Sequence, residues 1–172
     1  MEKNREGEVI NPLRENISTF LESERKRRGL NHQEMASLFR TQDGEGLAYG
    51  TYIGTVRKRI NVTLRTVAQM SLALDVSIAD LLMAGKQIEP WTRSLTEMDV
   101  MQRLAAIVEG QRNERGMTRR ALAAYIGITE VTYTKIERAA GNVSVDTLTM
   151  IAKALGLDPV TFLFKQIRPA KA

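Results

Sequence analysis

One stretch in the second half of the chain decides the fold: GMTRRALAAYIGITEVTYTKIER, residues 116–138. Apolar residues recur in it at helical spacing on either side of Gly127. Thr118 and Thr129 stand just before these two runs, where a side chain that caps a helix N-terminus is expected. Gly127 suits the left-handed backbone that commonly ends a helix. The stretch therefore predicts two short helices joined by a tight turn.

Three more helices are expected around this pair. The helix before it begins near Thr96 and runs to about Arg115. The spacing of a capping box occurs twice at its start, from Ser94 to Glu97 and from Thr96 to Asp99. The two later helices are expected to begin at the caps Ser144 and Asp158, the latter followed by Pro159.

The first half repeats this pattern imperfectly. At an offset of 87 residues Arg28-Gly29 falls on Arg115-Gly116, and at an offset of 81 Asn61-Val62-Thr63 falls on Asn142-Val143-Ser144. The difference of six residues indicates a net insertion in the segment 40–50, which holds two acidic residues and three glycines. The third helix of this half is expected over 51–59. The other expected helix starts are Asn11-Pro12, Asn31, Thr63 and Ser77.

We therefore predict an all-α protein of two tandem five-helix domains. The first domain covers residues 1–85 and includes the inserted loop 40–50. A linker follows at 86–97, where Pro90 interrupts helix continuity, and the second domain covers 98–172. Trp91 is the only tryptophan, and it either covers the edge of a core or contacts a second chain.

Composition narrows the function. The net charge of +5 suits a polyanionic partner. Residues 1–85 hold 12 basic and 11 acidic residues, whereas 86–172 hold 13 and 9, so most of the excess charge lies in the second half. The absence of cysteine and the single histidine exclude disulfides, thiolate zinc sites and multi-histidine metal sites. No cofactor is predicted. No apolar run suits a membrane helix or a secretory signal, so we expect a cytoplasmic protein.

The motifs of the second half together resemble the lambda-repressor-like, or Cro/Xre-type, helix-turn-helix family. The resemblance covers residues 98–165, and it implies a fold of five helices. It also implies sequence-specific binding of double-stranded DNA, usually as a homodimer and usually in transcriptional control. The motifs that carry it are Gly116-Met117-Thr118, Leu122-Ala123, Gly127-Ile128-Thr129, the segment from Thr132 to Arg138, Asn142, and the apolar stripe from Leu148 to Leu155 with Gly156-Leu157-Asp158 after it.

The resemblance assigns DNA contacts to the second half. The third helix of such a domain enters the major groove, and its exposed N-terminal face meets base edges. On that face Glu130 can accept from cytosine, Val131 can touch a thymine methyl and Lys135 can donate to guanine. Thr134 suits several bases, and Glu137 is expected to pair with an arginine of its own domain. The candidate phosphate ligands are Thr118, Arg119, Arg120, Arg138 and Asn142.

The first half departs from the pattern at its inserted loop, whose acidic residues would repel a DNA backbone unless the loop points away. Three roles therefore stay open for this half: a second DNA reader, a domain that contacts only the DNA backbone, or a dimerisation or partner-binding module. Its candidate base-reading residues are Thr51, Tyr52 and Thr55, and its candidate phosphate ligands are His32, Gln33, Arg57, Lys58 and Arg59.

The favoured function is that of a DNA-binding transcriptional regulator, by default a repressor that acts as a homodimer. The alternative is a protein-binding module of a mobile element, or of a toxin–antitoxin or anti-defence system, that keeps the helix-turn-helix fold. An enzyme is not expected, because the carboxylate pairs fall at helix starts, where capping explains them.

Overall fold

The computed structural model describes residues 11–41 and 43–166, and within them the regular structure is helical. No strand occurs among these residues beyond two isolated bridges. No helix of the described part is both long and apolar enough to cross a bilayer. The α-helices are α1 (Pro12–Arg27), α2 (His32–Ser37), α3 (Tyr49–Val56), α4 (Leu64–Leu74), α5 (Ile78–Leu82), α6 (Glu97–Glu114), α7 (Arg119–Ile126), α8 (Glu130–Glu137) and α9 (Val145–Ala154), with 3₁₀ helices at Pro90–Ser94 and Phe162–Phe164.

Capping side chains set the starts of eight of these nine helices. Each cap accepts a hydrogen bond from a backbone N–H of the first turn, which would otherwise have no partner inside the helix. Only α3, which begins after Ala48, lacks such a side chain. The caps predicted from sequence are confirmed at Asn11, Asn31, Thr63, Ser77, Thr96, Thr118, Thr129 and Ser144.

Three sequence predictions need correction. Of the two capping boxes considered for α6, the structure forms the one between Thr96 and Asp99, while Ser94 ends the preceding 3₁₀ helix. A fifth α-helix does not follow Asp158; its carboxylate holds a turn, and only the 3₁₀ helix Phe162–Phe164 comes after it. The third helix of the first half spans Tyr49–Val56 and not 51–59.

The same arginine contacts recur in the two halves at the offset of 87. Near the end of α1, the guanidinium of Arg25 donates to the Leu30 carbonyl and pairs with Glu22. This pairing lowers the pKa of the Glu22 carboxyl. Near the end of α6, Arg112 makes the matching bonds to Met117 and Glu109, with the same effect on the pKa of Glu109.

A second recurring contact ties the first helix of each half to its fourth. Arg28 Nη2 donates to the Leu74 carbonyl at the end of α4, at 2.9 Å. Arg115 reaches the equivalent Leu155 carbonyl at the end of α9, at 3.4 Å. In both halves, therefore, an arginine at the end of the first helix donates a hydrogen bond to a carbonyl at the end of the fourth.

The linker packs against the helices on both sides of it. Its 3₁₀ helix Pro90–Ser94 contacts α5, and Thr92 within it is buried. The guanidinium of Arg103, on α6, lies 4.7 Å from the centroid of the Trp91 ring, a cation–π contact. Trp91 Nε1 donates to the Glu89 carboxylate at 2.6 Å.

The two halves also pack directly on each other. α1 contacts α9, and α4 contacts α6. Between these pairs, Thr63 and Ser144 form an isolated antiparallel bridge. Arg14 of α1 pairs with Asp146 of α9 across this junction.

Candidate nucleic-acid interface

The α7–turn–α8 unit is fixed by a few buried residues. Gly127 ends α7 with φ 90° and ψ 26°, a left-handed conformation that favours glycine. Ala123 is buried on α7, and α7 packs against α8. On the inner side of α8, Tyr133 and Ile136 are both 0% exposed. These anchors leave the opposite side of α8 facing outward.

The four base-reading candidates of the second half lie together on that outward side. Glu130, Val131 and Lys135 are exposed, and Val131 is 65% exposed. Thr134 is partly exposed, and its hydroxyl donates to the Glu130 carbonyl at 3.0 Å, which leaves the hydroxyl oxygen able to accept. The surface formed by these four residues, called here the α8 face, offers an acceptor, a donor, a methyl-bearing side chain and a hydroxyl group.

The phosphate candidates of the second half divide into exposed and engaged side chains. Arg120 and Arg138 are exposed, and among the described residues neither forms an ion pair. Arg119 Nε donates to Glu137 at 2.8 Å, so Glu137 has the arginine partner expected from sequence. The Thr118 hydroxyl caps α7 through the Ala121 N–H.

Asn142 occupies a different place from the one expected. Its Oδ1 accepts from the backbone N–H of Arg65, in the other half, at 3.3 Å. It therefore belongs to the junction between the halves. It also borders a cleft of about 260 Å³ beside Lys135, whose other lining residues are Thr132, Ile136, Ala140, Val143, Ser144 and Thr147.

In the first half, two of the three base-reading candidates are buried. Tyr52 is 0% exposed, and burial raises the pKa of its phenol to about 12. Thr55 is 3% exposed, and its hydroxyl donates to the Thr51 carbonyl. Neither side chain reaches the protein surface, in contrast to the expectation from sequence. Thr51 itself is partly exposed.

The exposed side of α3 is formed by residues that the sequence analysis did not select. The offset of 81 places Tyr49, Gly50, Ile53 and Gly54 at the positions of Glu130, Val131, Thr134 and Lys135. Tyr49 is 38% exposed and Ile53 is partly exposed. We call Tyr49, Gly50 and Ile53 the α3 face, while Gly54 is buried. The repeat alignment contains these residues, but a helix predicted over 51–59 selects Thr51, Tyr52 and Thr55 instead.

The basic cluster after α3 is partly engaged. Arg57 and Arg59 are exposed, while Lys58 pairs with Glu15 at 2.8 Å. His32 Nδ1 lies 3.1 Å from the Tyr52 hydroxyl, so this ring helps to hold α3 onto α2. Gln33 is exposed on α2. Arg57, Arg59 and Gln33 are therefore the candidates of this half that remain open to a DNA backbone.

The inserted loop is closed on itself. An antiparallel bridge joins Arg40 to Gly46, and the Thr41 hydroxyl and N–H both donate to the Glu45 carbonyl. At Gly46, with φ 115°, a Cβ atom would lie 2.2 Å from the Phe39 carbonyl oxygen, so the bridge requires glycine there. The exposed carboxylates Asp43 and Glu45 lie in the loop that this bridge closes.

Comparison with known proteins gives one match. Residues 109–162 match the family model described as helix-turn-helix. This segment contains α7, α8 and α9 together with the end of α6. The match supports a helix-turn-helix domain of the Cro/C1 type in this segment, of the kind that binds DNA in regulators. No curated protein and no solved structure matches the chain.

Proposed function

We propose that the chain is a sequence-specific, double-stranded DNA-binding transcriptional regulator that reads bases with the α8 face. The observation that carries this proposal is the outward array of Glu130, Val131, Thr134 and Lys135 on a helix whose inner side is fully buried. Base readout needs side chains held in fixed positions at the N-terminal part of a helix that fits the major groove. Arg120 and Arg138, exposed at the ends of α7 and α8, supply phosphate contacts that position it.

The first half is a second helix-turn-helix domain in this proposal, and it arose by tandem duplication. The support is the repetition of helix caps and of arginine hydrogen bonds. Arg25 and Arg112 occupy equivalent positions and donate to equivalent carbonyls. The same holds for Arg28 and Arg115. Two unrelated helical domains would have no reason to share these arginine–carbonyl hydrogen bonds. Their recurrence at the two offsets of the sequence repeat, 87 for the arginines and 81 for the leucines of the fourth helix, favours descent from one domain.

Repression is the regulatory outcome we propose, because a domain that covers the major groove excludes other proteins from the same DNA. A homodimer, expected from sequence, is one way to present two reading helices. The packing of the two halves offers another within a single chain.

A protein partner is the second candidate function, and it concerns the first half. The exposed apolar side chains Leu38 and Tyr49, each 38% exposed, lie on either side of the acidic inserted loop. A binding module that kept the fold would use this combined surface. If the full-length protein shows no sequence-selective DNA binding, this candidate is preferred.

A selection from genomic DNA tests the proposal. Purified full-length protein is mixed with sheared genomic fragments at near-physiological salt, and the bound fragments are sequenced. We expect one enriched sequence, which then lowers reporter transcription when placed over a promoter. Uniform recovery of all fragments, falling only with salt, would show backbone binding without readout and would contradict the proposal. Increased reporter transcription would contradict repression alone.

A further inference from the structure

The junction between the halves has an internal two-fold symmetry. The Leu64 N–H donates to the Val143 carbonyl at 2.8 Å, and the Val145 N–H donates to the Val62 carbonyl at 2.9 Å. Adding 81 to Leu64 gives the position of Val145, and subtracting 81 from Val143 gives that of Val62, so the second bond is the first with the halves exchanged. The bridge between Thr63 and Ser144 joins equivalent residues, so the two-fold axis passes through it.

Side chains repeat the same reciprocity. Asn142 Oδ1 accepts from the Arg65 N–H, and Asn61 Oδ1 accepts from the Asp146 N–H at 3.1 Å. Each asparagine thus satisfies a first-turn N–H of the other half's fourth helix, a group that has no partner within its own helix. An interface in which the same surface of two units pairs with itself is isologous, the usual arrangement of two-fold dimers.

The junction is also apolar at its centre. Val62, Leu64, Val143 and Val145 are all buried. Around them, Asn11 donates to Asp146 and accepts from Thr149, which extends the contact from α1 to α9. The arrangement is therefore a packed interface that fixes the two halves relative to each other.

This symmetry relates the two reading helices. α3 ends at Val56 and α8 at Glu137, in each case five residues before the junction asparagine, Asn61 or Asn142. Because the halves share their internal contacts, the axis through Thr63 and Ser144 exchanges α3 with α8. Two reading helices related by a two-fold axis match two half-sites in opposite orientation on duplex DNA.

The two reading faces differ in chemistry. The α8 face carries a carboxylate, an ammonium group and a hydroxyl, whereas the only polar side-chain group of the α3 face is the phenol of Tyr49. Gly54 cannot be replaced by a lysine like Lys135 without a shift, because a Cβ there would lie 2.9 Å from Ile60 Cγ2. An apolar face of this kind fits thymine methyl groups in the major groove.

We propose that one chain is a complete two-fold DNA-binding unit that occupies an inverted pair of unlike half-sites without a second copy. The α8 face reads its half-site through hydrogen bonds, and the α3 face reads a thymine-rich half-site through apolar contact. Arg57 and Arg59 hold the backbone beside the α3 half-site. This inference rests on the proposed function, since it requires that the protein reads DNA.

The number of chains on one operator is the first test. A duplex that carries the sequence enriched from genomic DNA is mixed with excess full-length protein, and the mass of the complex is measured by native mass spectrometry. We expect one chain of 19.3 kDa for each duplex and an enriched sequence whose two arms differ. Two chains on a symmetric palindrome would overturn the inference while leaving the proposed function intact. No enriched sequence at all would remove both.

Variants then assign the arms. Thr134→Ala with Lys135→Ala should lower the preference for the hydrogen-bonded arm alone, and Tyr49→Ala with Ile53→Ala the preference for the thymine-rich arm alone, each by about fivefold or more. If the double variant Tyr49→Ala with Ile53→Ala does not fold, the single variant Tyr49→Ala is used instead, because Tyr49 is exposed. The matched control is Leu72→Ala, an apolar side chain on α4 that is 82% exposed. An unchanged thymine-rich arm in both α3 variants would overturn the role of the α3 face.

Spacing tests the rigidity of the unit. Insertion of about five base pairs, half a helical turn, between the arms turns one arm to the opposite side of the duplex. We expect the affinity to fall to that of a duplex with a single arm. Affinity unchanged by the insertion would mean that the halves move independently, which would overturn the fixed two-fold unit.

Discussion

Two tyrosines at equivalent positions of α3 and α8 differ in their hydrogen bonding. Tyr52 and Tyr133 are both fully buried, but the Tyr52 hydroxyl meets His32 Nδ1, while the Tyr133 hydroxyl has no hydrogen-bond partner among the described residues. The position of His32 is taken in the second half by Arg119, which pairs with Glu137 instead. Burial raises the pKa of both phenols, so both stay protonated and can donate.

Removal of each hydroxyl should therefore have unequal effects. Tyr52→Phe loses a hydrogen bond and should lower the free energy of unfolding by about 1 kcal/mol. Tyr133→Phe removes an unpaired buried hydroxyl, so it should leave that free energy unchanged or raise it. Urea unfolding of the two variants checks this, each serving as the control for the other. A larger loss in Tyr133→Phe would show that its hydroxyl has a partner.

Arg120 is the clearest test of a phosphate contact. Arg120→Ala should weaken binding about equally for all sequences and reduce the slope of log affinity against log salt by about 1. Lys153→Ala is the matched control, because it removes one positive charge from an exposed position in the last turn of α9. Equal slopes for Arg120→Ala and the wild type would exclude the contact.

The Glu24 carboxyl makes the free energy of unfolding depend on pH. Its hydrogen bonds to Arg27 and Arg28 lower its pKa from 4.5 to about 2, so the ionised carboxyl stabilises the fold above about pH 4.5 and loses this effect as the pH falls towards 2. Gln111 holds the equivalent position and accepts from Arg115 without a charge. Glu24→Gln therefore imitates the second half.

We expect this substitution to lower the free energy of unfolding at pH 7 by on the order of 1–3 kcal/mol. The deficit should shrink when urea unfolding is repeated at pH 3. Glu114→Gln, an exposed glutamate at the end of α6, is the control. A deficit of the same size at both pH values would show that the charge of Glu24 does not contribute.

At the scale of elements, the helix starts were predictable and the α3 face was not. Helices capped by Ser, Thr or Asn begin where the sequence places them, because the cap pairs with specific first-turn N–H groups. α3 follows Ala48, which has no such side chain, and the sequence alone placed its start two residues late. A shift of two residues turns the helix by about 200°, so the predicted helix selects the buried Tyr52 and Thr55 in place of the exposed Tyr49 and the partly exposed Ile53.

The α-helix predicted after Asp158 is absent for a related reason. Asp158 and Pro159 are common at helix starts, but the same pair also fits a turn. In the structure the Asp158 carboxylate accepts from the Val160 N–H and the Thr161 hydroxyl, which closes the turn locally. The choice between the two outcomes depends on the packing of Phe162, Leu163 and Phe164, all buried, which local sequence does not specify.

The crossed asparagines of the junction give a prediction at this scale. Asn61→Ala and Asn142→Ala each leave a first-turn N–H of the other half's fourth helix without its side-chain acceptor. Each should lower the free energy of unfolding by about 0.5–1 kcal/mol, the low end of a cap loss, because both side chains are exposed. Asn113→Ala, exposed near the end of α6, is the control in thermal unfolding. Values equal to the control for both variants would show that water replaces these bonds without cost.

At the scale of the whole molecule, the junction was outside the reach of sequence reasoning. The offset of 81 aligned Asn61-Val62-Thr63 with Asn142-Val143-Ser144 as a repeat, but a repeat does not show that its two copies pair with each other. The pairing requires that each half leaves its segment at its surface. Each segment must also offer apolar side chains and a first-turn N–H that has no partner within its own helix. In the proposed function, this pairing makes the two helices α3 and α8 parts of one packed body.

The most direct test of the central claim, base readout by the α8 face, is a ratio of two affinities. The affinity for the sequence enriched from genomic DNA is divided by that for a scrambled duplex of equal length at one salt concentration, for the wild type, Thr134→Ala with Lys135→Ala, and Lys153→Ala. We predict a ratio well above one for the wild type and the Lys153→Ala control, and a fall of about fivefold or more in the α8 variant. A ratio unchanged in that variant would contradict the account.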